Sequence, residues 1–153
     1  MLLNLLVGLP VMLLCLVMEA IIVAQCLRHY VRYNTRVGQC LEPNRGFLWD
    51  FQVLGLVMLL MMLGYFVQIG IWAALFMLLG EFDEFATAVY YSGVTFATLG
   101  YGDIVLSTPW RLLGALEAGN GVLMLGISTG VMTAAVKEVM KHNIERLKRG
   151  MNG

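Results

Sequence analysis

The sequence predicts an all-α membrane protein whose chain crosses the bilayer three times. Of its 153 residues, 59% are hydrophobic and 13% are charged, and its mean hydropathy is +0.78, values that exclude an ordinary soluble domain. Three apolar stretches, 2–27, 53–79 and 110–136, each exceed the roughly 20 residues that cross a hydrocarbon core of about 30 Å. The first stretch is too long for a signal peptide and no Lys or Arg precedes it, so we count it as a span.

Charged residues set the predicted orientation of these spans, because basic loops stay in the cytoplasm. The segment between the first two spans carries Arg28, Arg32, Arg36 and Arg45, and the end of the chain carries Lys137, Lys141, Arg146, Lys148 and Arg149. The segment between the second and third spans is acidic, with Glu81, Asp83, Glu84 and Asp103. We therefore expect the N-terminus outside, with the C-terminus and residues 28–50 in the cytoplasm.

Enzymatic residue patterns are missing from the sequence. Cys15, Cys26 and Cys40 fit neither a metal site nor a disulfide framework. There is also no nucleotide-binding loop, no His/Glu metal pattern and no hydrolytic triad. The sequence thus predicts no enzyme, no cofactor, no nucleic-acid partner and no small-molecule substrate.

Residues 98–103 read Thr-Leu-Gly-Tyr-Gly-Asp and lie between the second and third spans. A helix is predicted just before them, over 84–97, with Asp83 as its N-cap. Gly100 and Gly102 accept a positive φ without a Cβ clash, so the backbone can alternate in handedness and point successive carbonyls the same way. The run resembles the selectivity filter of potassium channels, TxGYGD, in which carbonyls replace the hydration shell of the ion.

The resemblance covers residues 53–137 and implies an outer helix, a re-entrant pore helix with its filter loop, and an inner helix. It implies a homotetramer, because one chain supplies one loop, and K⁺ ions held at Thr98, Leu99, Gly100 and Tyr101, with Gly102 completing the filter. Tyr101 is expected to point away from the axis. The chain then divides into an N-terminal transmembrane helix (1–27), a basic cytoplasmic linker (28–52), an ion-channel pore domain (53–137) and a short cytoplasmic tail (138–153). The implied location is the plasma (inner) membrane, in contact with lipid.

The sequence departs from the family pattern at three positions in and just before the run. Ala97 stands where many members have a second Thr, and Leu99 replaces the usual Val. Val94 stands where several members place a Glu that pairs with the Asp after the filter, so we expect Asp103 to be held by Tyr90 or Tyr91 instead.

The third span carries an ionisable residue, Glu117, which is costly in hydrocarbon. One hypothesis places it facing the pore helix or the back of the filter, where it supplies the acidic support missing at Val94. Two alternatives are a protonated Glu between helices with no role in gating, and a residue lining the cavity. Alignment with the family puts a hinge at Gly121 and predicts that the cavity is lined by Val122, Leu125, Thr129 and Thr133.

The predicted function is passive, potassium-selective conduction across the membrane. The first span has no repeated Arg pattern, so we expect weak voltage dependence. A weakly selective cation channel and a non-conducting accessory subunit are the two alternatives.

Overall fold

The computed structural model describes residues 2–37 and 47–151. These residues form four α-helices and no strand, namely α1 (Leu2–Val37), α2 (Phe47–Leu78), α3 (Phe85–Phe96) and α4 (Arg111–Met151). Three of the helices contain segments long and apolar enough to cross a membrane: Leu2–Cys26, Leu54–Leu78 and Arg111–Lys137. The predicted all-α class with three apolar spans and a short helix between the last two is confirmed.

The helices extend beyond the apolar segments that predicted them. Helix α1 continues to Val37, which lies within the predicted linker, and α2 already begins at Phe47. Helix α4 continues through most of the predicted tail to Met151. The rest of the linker, 38–46, lies outside the described residues. Hydropathy marks where a bilayer would end, whereas main-chain hydrogen bonds let a helix continue into water.

The start of α3 differs from the prediction. The N-cap is Glu84, with extended backbone at φ −114° and ψ 126°, and not Asp83. Glu84 makes no capping bond to the backbone, and its carboxylate instead accepts a hydrogen bond from Thr87 Oγ1 at 3.2 Å. The negative charge still lies at the positive end of the helix dipole, where it is favourable.

Helices α2 and α4 form the centre of the fold. Both contact α1 and both contact α3, whereas α1 and α3 do not contact each other in the described part of the chain. The core between them is rich in aromatic residues. Tyr65 of α2 packs edge-to-face on Phe96 of α3 at 4.7 Å between centroids, and Phe76 packs the same way on Tyr91 at 5.3 Å. These contacts fix α3 against α2.

Helix α1 runs parallel to α4. Near its start, Asn4 Nδ2 donates a hydrogen bond of 2.7 Å to the carbonyl of Pro109, just before α4 begins. Further along, Gly8 lies against Leu113 and Leu116 of α4. The start of α1 therefore lies on the same side of the bundle as the connection that follows the candidate filter, which we define as residues 98–103.

A buried polar contact joins α1, α2 and α4. Gln68 Nε2 of α2 lies 3.1 Å from Glu19 Oε2 of α1 and 3.1 Å from Met124 Sδ of α4. Glu19 is 2% exposed and Gln68 is fully buried. Gln68 therefore supplies the hydrogen-bond donor for the buried carboxyl group of Glu19 and links α2 to α1.

We expect Gln68→Leu to lower the free energy of unfolding by about 1–3 kcal/mol, because it leaves the buried Glu19 carboxyl group without its donor. The double variant Gln68→Leu/Glu19→Leu is expected to recover most of that loss, since both polar partners are gone. Denaturant unfolding in detergent measures both effects. Gln25→Leu is the control, because Gln25 is an exposed amide on α1. A Gln68→Leu protein as stable as the wild type contradicts this prediction.

Candidate ion-conduction site

The end of α3 positions the candidate filter. After the helix, the Val94 carbonyl accepts hydrogen bonds from Leu99 N at 2.9 Å and Gly100 N at 3.3 Å, and Thr98 N donates to the Thr95 carbonyl at 2.9 Å. The last carbonyls of a helix have no partner within it, and here they receive the first amides of the candidate filter. The sequence singles out Val94 for its side chain, which replaces a Glu of the family. In the structure, Val94 contacts the candidate filter through its backbone carbonyl.

The backbone of the candidate filter is left-handed at every second residue. Positive φ angles occur at Thr98 (59°), Gly100 (53°) and Gly102 (76°), and at neither Leu99 nor Tyr101. Glycine adopts this conformation freely, but a residue with a Cβ pays roughly 1–2 kcal/mol for it. Thr98 is the one non-glycine residue with positive φ in the described ranges 2–37 and 47–151. The surrounding structure therefore keeps Thr98 in the left-handed conformation despite its conformational cost.

The two large apolar side chains of the candidate filter, Leu99 and Tyr101, are exposed in the single chain. Leu99 is 57% exposed and Tyr101 is 66% exposed, and every other residue from 97 to 103 is exposed as well. Exposed apolar side chains close together indicate a surface that lipid or another protein covers.

Tyr90 holds Asp103 at the far end of the candidate filter. Its hydroxyl donates a hydrogen bond of 2.8 Å to Asp103 Oδ2. Tyr91, the other residue considered for this role, instead packs on Phe76 and Phe82, and its hydroxyl lies against Gly114 of α4. Nearby, the Glu81 carboxylate accepts hydrogen bonds from the amide and the hydroxyl of Ser107. Two side-chain contacts thus fasten the connection between the candidate filter and α4.

The hydrogen bond to Asp103, together with partial desolvation and the negative charge of that carboxylate, raises the pKa of the Tyr90 hydroxyl. Because the folded pKa is raised, the contact is complete below the ordinary value of about 10 and is lost as pH rises through the raised one. We expect the absorbance titration of wild type minus Tyr90→Phe to show a midpoint above the ordinary value. The same difference measured in an Asp103→Asn background is expected to shift back towards it. An unshifted midpoint in the wild-type background contradicts the prediction.

Glu117 lies deep between the helices. It is fully buried and faces Ser92 in the middle of α3. Neither its carboxyl oxygens nor Ser92 Oγ has a hydrogen-bond partner of good geometry among the described residues. Glu117 therefore lies against the pore-helix candidate α3, whereas the hydrogen bond to Asp103 comes from Tyr90.

The predicted cavity-lining residues lie on an exposed face of α4. Val122 is 57% exposed and Leu125 is 64% exposed, and Thr129 and Thr133 are exposed as well. The two threonine hydroxyls donate to the carbonyls four residues earlier, at 2.7 and 2.8 Å. These hydroxyls keep their lone pairs free on this face.

Gly121, the predicted hinge, is in close contact with α3. Helix α4 continues through it without a break, and a Cβ at this position would overlap the Phe96 carbonyl at the end of α3. The structure thus gives Gly121 a packing role that sequence reasoning missed, and its role as a hinge stays a prediction. The signal available in the sequence was the small-residue pattern of α4, which indicates close helix packing without naming the partner.

Further polar residues also lie in the core. Ser92, Asn120 and Gln68 are fully buried. No group of three or more His, Cys, Asp or Glu side chains that could hold a metal occurs in the part of the chain that the structure describes.

Three helices long and apolar enough to cross a membrane, with a short helix and an exposed loop between the last two, indicate a membrane protein. Residues 64–138 match the family model described as "Ion channel". This range begins in α2, contains α3 and the candidate filter, and ends in α4. Neither the curated proteins nor the solved structures gave a match. The chain is thus similar to an ion channel domain over this segment.

Proposed function

We propose that the protein is a potassium-selective channel that conducts K⁺ passively through the candidate filter. The observation that carries this proposal is the left-handed backbone at Thr98, Gly100 and Gly102, with other conformations between them. Alternating handedness lets successive carbonyls face the same way, which an ordinary strand does not allow. A row of such carbonyls is the set of ligands with which K⁺ replaces its hydration shell.

The proposed ion ligands are the carbonyls of Thr98, Leu99, Gly100 and Tyr101, together with the Thr98 hydroxyl. Gly102 completes the segment and lets the chain turn towards Asp103. The carbonyl end of α3 adds a favourable potential for a cation close to Thr98. Because the Val94 carbonyl accepts two amides of this segment, the filter and the helix end are expected to move together.

A ring of ligands needs four copies of the chain around one axis. The exposure of Leu99 and Tyr101 supports this assembly, because a neighbouring copy would cover both side chains. The exposed face of α4 at Val122, Leu125, Thr129 and Thr133 would then surround a cavity on the cytoplasmic side of the filter. Irregular backbone at membrane depth is tolerated where protein buries it or where it lines a water-filled path, and this assembly supplies both.

The proposed setting is the plasma membrane, with the N-terminus outside and the C-terminus in the cytoplasm. The distribution of basic residues supports this orientation. Because α1 and α4 run parallel, the outer end of the filter and the start of α1 would lie on the same face.

The test is ion flux into liposomes that contain the purified protein, followed by reversal potentials in mixed K⁺ and Na⁺. We expect K⁺ flux, a reversal potential close to that of K⁺, and a cross-linked species of four chains. A reversal potential midway between the two ions would identify a weakly selective cation channel. Absence of flux from correctly assembled protein would favour the non-conducting accessory subunit.

A further inference from the structure

A group of four buried polar side chains lies where α4 meets α1 on one side and α3 on the other. The group comprises Cys15 of α1, Ser92 of α3, and Glu117 and Asn120 of α4, and we call it the polar cluster. All four residues are 0% exposed. Glu117 faces Ser92, and Asn120 faces Cys15. The cluster therefore connects α1 with α3, two helices that do not contact each other directly.

Five polar atoms of this cluster lack a hydrogen-bond partner in the described chain: both carboxyl oxygens of Glu117, both amide atoms of Asn120 and the Ser92 hydroxyl. Each buried polar group left without a partner costs about 1–3 kcal/mol. Folded proteins satisfy nearly all such groups, either within the chain or through ordered water. Five orphaned atoms in one place thus call for a partner that the chain does not supply.

Rearranging the side chains does not readily provide that partner. The two facing pairs, Ser92 with Glu117 and Cys15 with Asn120, could close to direct hydrogen bonds with Ser92 and Cys15 as donors. This would still leave the Asn120 NH₂ group and the second Glu117 oxygen, a donor and an acceptor that form no hydrogen bond with each other in the structure. A neighbouring subunit offers no help, because none of the four side chains reaches the surface of a single chain. The missing partner has to fit inside one subunit.

The remaining donor and acceptor suit one small molecule. Glu117 and Asn120 lie three residues apart on α4, so they share one face of the helix. A molecule between them must accept from the amide and donate to the carboxyl group. Water does both and makes about three hydrogen bonds in buried polar sites.

We propose that the polar cluster encloses ordered water that bridges Glu117 and Asn120 and binds α1 and α3 to α4. Ser92 lies two residues before Val94, whose carbonyl holds the first amides of the candidate filter. The enclosed water thus supports the position of α3 from behind. The proposal is independent of ion selectivity, and its test does not use ion flux.

Radiolytic footprinting tests the proposal, because hydroxyl radicals formed from bound water oxidise adjacent side chains even when these are buried. We expect Cys15 to be oxidised several-fold faster in the wild type than in Glu117→Leu/Asn120→Leu, which replaces the bridging pair by apolar side chains. Cys26 is the internal control, since it is partly exposed on the same helix and its rate is expected to be equal in both proteins. Equal Cys15 rates in the two proteins would overturn the proposal.

A high-resolution cryo-EM map of the wild type gives an independent readout that does not depend on the variant folding. We expect isolated density within hydrogen-bond distance of both Glu117 and Asn120, unchanged when K⁺ is replaced by Tl⁺. Direct contact between the two side chains would overturn the proposal. Density that grows with Tl⁺ would also overturn it, since the occupant would then be a cation.

Discussion

Gly100→Ala is expected to abolish K⁺ flux into liposomes. Gly100 has a φ of +53°, and an L-residue pays roughly 1–2 kcal/mol per chain to hold that region. Over four chains the cost reaches several kcal/mol, enough to flip the local peptide and remove a ring of carbonyls. No atom lies within 4 Å of the added Cβ in a single chain, so the expected loss arises from backbone conformation within the subunit.

Leu99→Val is the matched control for this prediction. Leu99 is the neighbouring residue, and its φ is not positive, so a β-branched side chain leaves the backbone unstrained. We expect Leu99→Val to keep K⁺ flux. Flux from Gly100→Ala close to that of the wild type would show that the alternating backbone is not the conduction path.

Gly121→Ala is expected to give the largest loss of stability among the glycine variants of α4. A Cβ at Gly121 would overlap the carbonyl of Phe96, and that atom belongs to the backbone at the end of α3. To remove this overlap, α3 or α4 must shift. Overpacking of this kind lowers the free energy of unfolding by about 1–3 kcal/mol or more. Because the same end of α3 carries the candidate filter, K⁺ flux is expected to fall as well. Thermal unfolding in detergent measures the first effect.

Gly119→Ala controls for the change from glycine to alanine within the same helix. No atom lies within 4 Å of a Cβ at Gly119, and the residue is exposed in the single chain. Helix propensity alone then favours alanine by up to about 1 kcal/mol. We expect Gly119→Ala to equal or exceed the wild type in stability. If the two variants behave alike, the close approach of Gly121 to Phe96 is not significant.

The three spans were predictable from sequence, because a hydrocarbon core selects apolar runs of a defined length. Their ends were not, since α1 and α4 continue past their apolar segments through main-chain hydrogen bonds. The N-cap was placed one residue too early, at Asp83, because both Asp83 and Glu84 are acidic and backbone conformation decides between them.

The partner of Asp103 shows a similar limit. Neighbouring residues on a helix point in directions about 100° apart, so only one of Tyr90 and Tyr91 can face Asp103. Their sequence neighbours do not reveal which one, whereas the packing of Tyr91 on Phe76 settles it. Likewise, the sequence placed Glu117 within a span. The direction in which its side chain points depends on the orientation of α4 about its own axis relative to α3, which the sequence does not give. Potassium selectivity and fourfold assembly stay predictions.

The apolar part of α1 has a consequence for reconstitution. Its 25 residues from Leu2 to Cys26 would measure roughly 37 Å at 1.5 Å per residue, more than an average hydrocarbon thickness of about 30 Å. Hydrophobic mismatch of this kind favours a tilted helix, and thinner membranes favour more tilt. Gly8 packs closely against Leu113 and Leu116, so a change in the tilt of α1 also displaces its contacts with the first turns of α4. The acyl-chain length of the lipids used for reconstitution is therefore expected to change how α1 packs on α4.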